Sequence, residues 1–348
     1  MDLPKVTVLM SVYNGERYLK EAIESILNQT FRDFEFIIIN DGSTDGTPAI
    51  LARYQQMDNR IMVYNQENHG LIASLNRGCQ LAKGDYIARM DADDISLPER
   101  FAKQVEFLNA HSEVGVLGTW IQWIDENSMP SRRLRPPTAP GTIGWFLIFE
   151  NCLAHPSVIM RRDLVEQLGF YHPEALHAED YDLWVRANFV TQIANIPDTL
   201  VQLRVWEGSI SSRHSQIQEL TVVNTMYEMI RRLLGSEVPF ETVENLRRAV
   251  NGFPLSSLEQ IETSASLIHQ LYRVYLNANS LNHAEVREIA HDAGTKLLIL
   301  AASTAKLSLK TRFFILARAL RLSPSLLFSK QVIIGGIKKD FRILAGRA

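Results

Sequence analysis

Only two of the 348 residues are cysteine, Cys79 and Cys152, and they stand far apart in the chain. That excludes a disulfide framework. No group of Cys and His has the spacing of a zinc site. The opening residues show no signal-peptide pattern, so a reducing, cytoplasmic setting is expected. No apolar run is long and uninterrupted enough to span a bilayer. There is no Gly-x-Gly-x-x-Gly and no P-loop lysine, which counts against a dinucleotide site or a P-loop phosphate cradle. A strong net charge is also missing: 36 Lys and Arg stand against 39 Asp and Glu, a formal −3. What is left is the composition of a globular chain, 46% hydrophobic and 22% charged, long enough for two domains or one large one.

The small net charge hides an asymmetry. From Lys306 to the end there are ten basic residues and one acid, Asp340, so the tail carries +9 and the remainder −12. Within the tail, Leu307, Leu309, Phe313, Phe314, Leu316, Ala317, Leu320 and Leu322 alternate with Lys310, Arg312, Arg318 and Arg321. Such a stretch reads as a basic amphipathic helix, either lying on an anionic membrane surface or packed on the protein with its basic face in water. Nucleic acid is not expected as a partner, because no aromatic-basic recognition motif accompanies the charge.

The first hundred residues alternate between two periodicities. Val6 to Val12, Glu35 to Asn40, Ile61 to Tyr64 and Tyr86 to Met90 are β-branched and apolar, as buried parallel strands are. Between them lie three helices: Glu16 to Asn28, one capped by Thr47 with Pro48 at its first position, and Gly70 to Ala82. The alternation predicts an α/β fold on a mostly parallel, doubly wound sheet. It puts Ser11, Tyr13, Asp41 and Asp91 at the carboxyl ends of strands, the edge where such sheets bind ligands. A tyrosine there can stack on a base, and an acid can accept hydrogen bonds from a ribose. Equally, Tyr13 can be ordinary packing and Asp41 can shape its own turn.

The fourth strand ends in three carboxylates, Asp91, Asp93 and Asp94. Clustered carboxylates repel one another unless a cation lies between them. Hard oxygen ligands of this kind suit Mg²⁺ or Mn²⁺ shared with substrate phosphates. The alternative is a set of turn and capping residues. Ser96 followed by Glu99 has capping-box spacing, so a helix is expected to open at Ser96.

Further on, Val114 to Ile124 reads as a strand. The proline-rich break after it reads as a hairpin or loop, and His155-Pro156 as a turn. His177-Ala-Glu-Asp-Tyr-Asp-Leu-Trp-Val-Arg opens a helix, with Glu179 and Asp180 at its positive end. A carboxylate so placed either stabilises the helix or removes a proton from a hydroxyl nucleophile. After Ser215 the strands stop. Four helical stretches follow, punctuated by Gly235, Pro239, Gly252 and Pro254, with no catalytic motif.

Taken together, these motifs resemble family-2 glycosyltransferases of the GT-A fold. The match runs through Met10-Ser-Val-Tyr-Asn-Gly-Glu-Arg-Tyr-Leu, Ile23-Glu-Ser-Ile-Leu-Asn-Gln-Thr, Ile39-Asn-Asp-Gly-Ser-Thr-Asp-Gly-Thr, Asn68-His-Gly-Leu, Ala82-Lys-Gly-Asp-Tyr-Ile and Met90-Asp-Ala-Asp-Asp, in that order. The resemblance implies a GT-A domain over residues 1–215. Its nucleotide-binding half would be 1–100 and its acceptor half 101–215, with a helical accessory region and basic tail over 216–348. It implies that Ser11, Tyr13 and Asp41 hold the nucleoside and that Asp91 faces the ribose and pyrophosphate. Asp93, with Asp91, would bind Mn²⁺ or Mg²⁺, while Asp94 ligates through water or caps the turn.

By the same resemblance Asp180 is the base of an inverting displacement. Glu179 contacts the acceptor or shapes the loop, and Asp182 is structural. His155 and Trp184 are placed on the acceptor side, though His155 equally fits the support of a Pro turn. Arg204 is the candidate cation at the departing diphosphate, with Arg213 and His214 as alternatives. The expected activity is sugar transfer from a nucleotide-sugar, UDP- or dTDP-linked, to a saccharide or lipid-linked acceptor in polysaccharide synthesis, peripheral to the inner face of the membrane. The rivals are a nucleotidyltransferase, for which the loop after the first strand is a poor triphosphate cradle, and a non-catalytic membrane-associated scaffold.

Overall fold

The computed structural model describes residues 3–206, 215–302 and 309–328. The chain begins β1 (Val6–Val12), α1 (Leu19–Leu27), β2 (Phe34–Asp41), α2 (Thr47–Met57), β3 (Ile61–Gln66), α3 (Leu71–Leu81) and β4 (Tyr86–Asp91). It continues β5 (Ile95–Ser96), α4 (Arg100–Ala110), β6 (Val114–Ile124), β7 (Pro130–Leu134), α5 (Pro140–Phe146), β8 (Ile159–Arg161), α6 (Arg162–Gln167), α7 (Glu179–Asn188) and β9 (Gln192–Arg204). Nine strands form one sheet in the order β3-β2-β1-β4-β8-β6-β9-β5, with β7 added to β6.

The first four strands are parallel and in register, Val8 beside Phe36 on one side and Ala88 on the other. β8 then enters antiparallel between β4 and β6, and β6 and β9 run parallel to each other. The sheet is therefore mixed, and the parallel expectation holds for β1 to β4.

Burial explains why this alternation folds as it does. Val6, Val8 and Met10 project from one face of β1 onto Leu19, Ala22, Ile23 and Ile26, which form one stripe of α1 at helical spacing. Each of the Val, Leu, Ile and Met side chains is fully covered and stabilises the fold by about 1.5–3 kcal/mol. A buried polar network sets the start of β4: Thr7 Oγ1 donates to Glu35 Oε1 at 2.6 Å and accepts from Gly84 N–H at 2.9 Å. Gly84 has no room for a side chain, since a Cβ there would lie 2.5 Å from the Thr7 nitrogen.

Two capping expectations fail for the same reason: the side chain has a tertiary partner. Ser96 lies in β5, paired with β9, and the helix opens only at Arg100. Gln29, from the end of α1, donates to the Ser96 hydroxyl at 3.1 Å and to the Leu97 carbonyl at 2.8 Å. Likewise Thr47 is the first residue of α2 rather than its cap, and its hydroxyl accepts from Gly15 N–H at 2.9 Å.

The chain divides into two compact units, one comprising the residues up to Ile143 with Asn151–Val222, the other Gly144–Glu150 with Val223 onward. The second unit is built of helices. Its helices are completed by α8 (Ser215–Leu234), which begins in the first unit, then α9 (Phe240–Val250), α10 (Leu258–Ala278), α11 (His283–Ala302) and α12 (Leu309–Leu322). Trp145 packs edge-on against Phe149 and Tyr275, and its indole N–H donates to Asp292 at 2.6 Å. Lys296 bonds the same carboxylate, its ammonium 4.5 Å from the centre of the Phe149 ring. Part of the basic tail falls in α12, where Ile315 and Ala319 are buried in the unit. The remainder of that tail, residues 306–308 and 329 onward, lies outside the described residues. No helix among the described residues is long and apolar enough to cross a membrane.

Candidate active site

At the carboxyl edge of the sheet two loops lock into each other. The turn after β1 gives its Asn14 N–H to Ser43 Oγ (3.0 Å) and its Glu16 N–H to Asp45 (3.1 Å). In return the Thr44 N–H donates to Asn14 Oδ1 at 2.8 Å and the Gly46 N–H to Glu16 at 2.6 Å. Gly42 turns this loop at φ +75°, where a Cβ would also strike the Asn68 nitrogen. Ser11 is half-buried beneath the loops, and Tyr13 stands on the edge with 54% of its surface exposed. Asp41 is 2% exposed. Its carboxylate accepts from Gln66 Nε2 at 2.7 Å and from the N–H groups of His69 and Gly70 at 3.0 and 2.9 Å. The structure thus leaves Ser11 and Tyr13 facing the edge and uses Asp41 to fold the 66–70 loop.

The carboxylates after β4 are held from three sides. Asp91 Oδ1 accepts from Arg89 Nη2 at 2.6 Å. Asp93 Oδ2 accepts from the indole N–H of Trp206 at 2.9 Å. Asp94 is buried, and its Oδ1 accepts from the Arg204 N–H at 2.8 Å. Burial, and next the charge of Asp91, pushes the Asp93 carboxyl up from its ordinary value. Burial, then Asp93 and Asp91, pushes Asp94 up much further. Asp94 is accordingly a buried turn residue whose carboxyl burial biases toward its protonated form.

Arg204 is not where the motif reading put it. It is 3% exposed and spends its guanidinium on the protein: Nε to the Asp93 carbonyl at 2.8 Å, Nη1 to Ser128 Oγ at 3.0 Å, Nη2 to Glu21 at 2.8 Å. The same group lies 4.2 Å from the centre of the Tyr18 ring. Every arm of the fork is used, so Arg204 braces the acidic turn instead of meeting a diphosphate. Arg213 and His214 lie outside the described residues.

The second acidic set opens α7, as expected. Asp180 is half-buried, and accepts from the Tyr181 N–H and from Asn151 Nδ2, both at 2.7 Å. Burial raises its carboxyl to about 6 against the lowering effect of these bonds. Glu179 is 7% exposed, and burial together with the Asp180 charge raises it to about 7. Asp182 is structural: it holds Arg186 at 2.8 Å, and Arg186 clamps the carbonyls of Leu168 and Phe170 at 2.7 Å each.

Both residues placed on the acceptor side are covered. Trp184 has no exposed surface, and His155 is buried with its Nε2 2.9 Å from the Tyr171 hydroxyl. Their rings pack 5.9 Å apart beneath α7, because the apolar side of that helix faces the interior. Burial, reinforced by Arg89, keeps His155 well below its ordinary value and therefore neutral.

Arg89 was not singled out by sequence reasoning, although an arginine inside the run Tyr-Ile-Ala-Arg-Met is itself a signal. It is 1% exposed, and its Nε and Nη1 find no hydrogen-bond partner. Its charge acts on Asp91, Asp93 and Asp94 and also on Glu179 and Asp180, so the structure brings the two acidic sets around one buried cation. Asn151 and Trp206 were missed as well, since nothing in their local pattern marks the carboxylates they meet.

A divalent cation fits the donor set in part. Asp91 and Asp93 each keep one carboxylate oxygen without a side-chain partner among the described residues, and burial, then the Asp91 charge, disfavours the bare Asp93 anion. Two carboxylate oxygens completed by substrate phosphates is an ordinary Mg²⁺ or Mn²⁺ arrangement. Among the described residues no three His, Cys, Asp or Glu side chains are preassembled around a metal position.

Residues 7–169 match the sequence model of Glycosyl transferase family 2. The O-antigen biosynthesis glycosyltransferase WbnJ of Escherichia coli is 38% identical over 53% of this chain and 72% of its own length. The chain belongs to glycosyl transferase family 2. It spans 65% and 66% of the length of two further relatives in the family. Among solved structures it is similar to S. aureus TarS 1-349 in complex with UDP-GlcNAc, with a TM-score of 0.58, 18% identity and coverage of 93% of this chain and 92% of that one. It is also similar to the mannosyltransferase PcManGT from Pyrobaculum calidifontis in complex with GDP-Man and Mn²⁺, with a TM-score of 0.52, 18% identity and coverage of 95% and 89%. At that identity the likeness shows the GT-A fold alone.

Proposed function

We propose that this glycosyltransferase moves a sugar, with inversion, from a UDP- or dTDP-sugar to a hydroxyl of a saccharide or lipid-linked acceptor in polysaccharide biosynthesis. The observation that carries the reading is the pair of acidic sets around Arg89, with Asp180 the half-buried, accessible member of the second. Ser11 and Tyr13 would meet the nucleoside, and Asp41 would hold their neighbouring loop in shape. Asp91 and Asp93 would hold Mn²⁺ or Mg²⁺, which when bound offsets charge on the donor diphosphate.

Asp180 would take the acceptor proton as the acceptor oxygen forms its bond to the anomeric carbon. The bond from that carbon to the diphosphate oxygen breaks on the opposite face, the nucleoside diphosphate leaves with the electron pair, and the centre inverts. With a carboxyl near 6, Asp180 is ionised at neutral pH and still basic enough to accept a proton. Glu179, near 7, shares its surroundings and is the member that keeps its proton longer. The names of WbnJ and of the amylovoran biosynthesis glycosyltransferase AmsE support the polysaccharide class. The basic tail supports contact with an anionic membrane surface, which deletion of residues 329–348 and vesicle co-sedimentation at low salt would test.

The decisive experiment incubates the full chain with UDP-, dTDP- and GDP-sugars, with Mn²⁺ or EDTA, and detects free nucleoside diphosphate. Slow hydrolysis of one donor, lost with EDTA, in Asp93→Ala and in Asp180→Asn, is the expected result. Release of pyrophosphate from nucleoside triphosphate and sugar phosphate would instead favour a nucleotidyltransferase. Absence of turnover and of thermal stabilisation by every nucleotide would favour a scaffold.

A further inference from the structure

The chain leaving β9 turns its donors onto the acidic turn after β4. Val205 N–H still pairs with the Ile124 carbonyl at 2.9 Å, so the extended backbone continues one residue past the strand. The Val205 side chain is exposed, while its neighbours Arg204 and Trp206, two positions apart, share the other side. Between them they make three bonds to the turn. The Arg204 N–H meets Asp94 Oδ1 at 2.8 Å, Arg204 Nε meets the Asp93 carbonyl at 2.8 Å, and the Trp206 indole N–H meets Asp93 Oδ2 at 2.9 Å. The first two hold the backbone and the buried acid. The third is the one side-chain bond to the Asp93 carboxylate among the described residues.

The indole is fixed by what surrounds it. Its ring stands edge-on to Tyr18 with centroids 5.5 Å apart, and Tyr18 is buried. The Arg17 guanidinium lies 4.9 Å from the Tyr18 ring centre and 6.0 Å from that of Trp206. A ring held this way points its N–H in one direction. Packing alone would account for the ring, but not for the match between the two acids. Asp91 also has one oxygen tied down, by Arg89 Nη2 at 2.6 Å. Guanidinium and indole N–H groups donate and have no lone pair to offer a metal. Each acid is thus oriented by a group that cannot enter a coordination sphere, and its second oxygen is left without a side-chain partner among the described residues.

We propose that Trp206 is a positioning residue of the cation site: its indole N–H fixes the Asp93 carboxylate so that the other oxygen faces the cation. The inference rests on the reading of Asp91 and Asp93 as the cation's ligands. A carboxylate turning freely about its own bond has to be ordered when the ion binds, whereas one held by the indole is ordered beforehand. Outer partners of this kind change metal affinity by about 10–100-fold.

The test is a binding measurement on the full chain, with UDP, dTDP or GDP supplied as nucleotide. Free Mn²⁺ is read from its electron paramagnetic resonance signal. Trp206→Phe keeps an aromatic ring against Tyr18 and removes the donor. With a melting temperature close to that of the unaltered chain, it should bind Mn²⁺ at least tenfold more weakly. A second measurement follows the indole N–H signals of the chain carrying ¹⁵N-tryptophan as Mg²⁺ is added with nucleotide. One of the five should shift saturably, the one displaced in Asp93→Ala, and none should respond to Mg²⁺ in that variant. Because this measurement uses the unaltered Trp206, it decides the matter even where Trp206→Phe does not fold. Unchanged Mn²⁺ affinity in folded Trp206→Phe, or an unmoved Trp206 signal at saturating Mg²⁺, would overturn the proposal and leave the cation reading standing. If the unaltered chain binds no Mn²⁺ with any nucleotide, both fall.

Discussion

Burial lifts carboxylates in both acidic sets, but the two sets are held by different partners. After β4, each carboxylate is tied to a rigid donor: Asp91 to Arg89, Asp93 to Trp206, Asp94 to the Arg204 backbone. At the start of α7, Glu179 and Asp180 are next to each other and share few donors, so burial lifts both toward neutrality. The difference separates two jobs. Carboxylates whose positions are braced suit a cation and a diphosphate. A carboxyl poised near working pH suits proton transfer.

The sharpest break of this comparison is Asp180→Asn. It keeps the size of the side chain and removes the base, so the rate of nucleoside diphosphate release with acceptor present should fall by about 10³-fold. The melting temperature should not fall, because the lost charge is one that burial opposes. An equal loss of stability and activity would mean that Asp180 belongs with the braced set. Arg204 tests the other side. Arg204→Lys retains the charge and loses the fork that bonds the Asp93 carbonyl, Ser128 and Glu21. Unfolding should become easier by about 3 kcal/mol, measured by denaturant titration, since buried acceptors lose their donor. A cation that met the diphosphate would show the reverse, a raised KM with unchanged stability.

The sequence carried most of what made these tests possible. Alternating apolar strands and helices of the first hundred residues favour a parallel sheet, and β1 to β4 form one. The placement of Asp91 and Asp93 at the end of a strand and of Asp180 at the start of a helix was legible, because local periodicity changes there. What was not legible depends on contacts between distant segments. Ser96 has a capping-box pattern, yet Gln29, 67 residues away, claims its hydroxyl. Arg204 has the charge for a diphosphate, yet Glu21 and Ser128 use it. His155 and Trp184 have chemistry suited to an acceptor, yet the helix they support turns them inward.

Glu179 provides a smaller effect of opposite sign. Its folded carboxyl lies near 7 and its unfolded one near 4.5, so the folded chain binds the extra proton between them. Stability should then fall as pH rises from 4.5 through 7 and level off above. Glu179→Gln removes that dependence. The variant should match the unaltered chain at pH 4.5 and exceed it by up to about 3 kcal/mol at pH 8, as measured by thermal and denaturant unfolding at both values. A variant that is less stable at pH 8 would show that Glu179 has a counter-charge after all.

The smallest expected effect is at Asn151, and it asks how the second set is tuned. The Asn151 amide gives Asp180 one of its two hydrogen bonds, and that bond favours the charged form. Asn151→Ala leaves the Tyr181 N–H in place and removes the side-chain donor. Asp180 should then hold its proton to higher pH. The acid limb of kcat/KM, expected near 6, should move up by roughly one unit, while the plateau at pH 8 stays within about threefold. Asn151→Asp sharpens the test, because a second carboxylate in the same place raises the limb further through repulsion. If neither substitution moves the limb and both lower the plateau, Asn151 positions the acceptor rather than the base. The division between braced and poised carboxylates would then rest on burial alone.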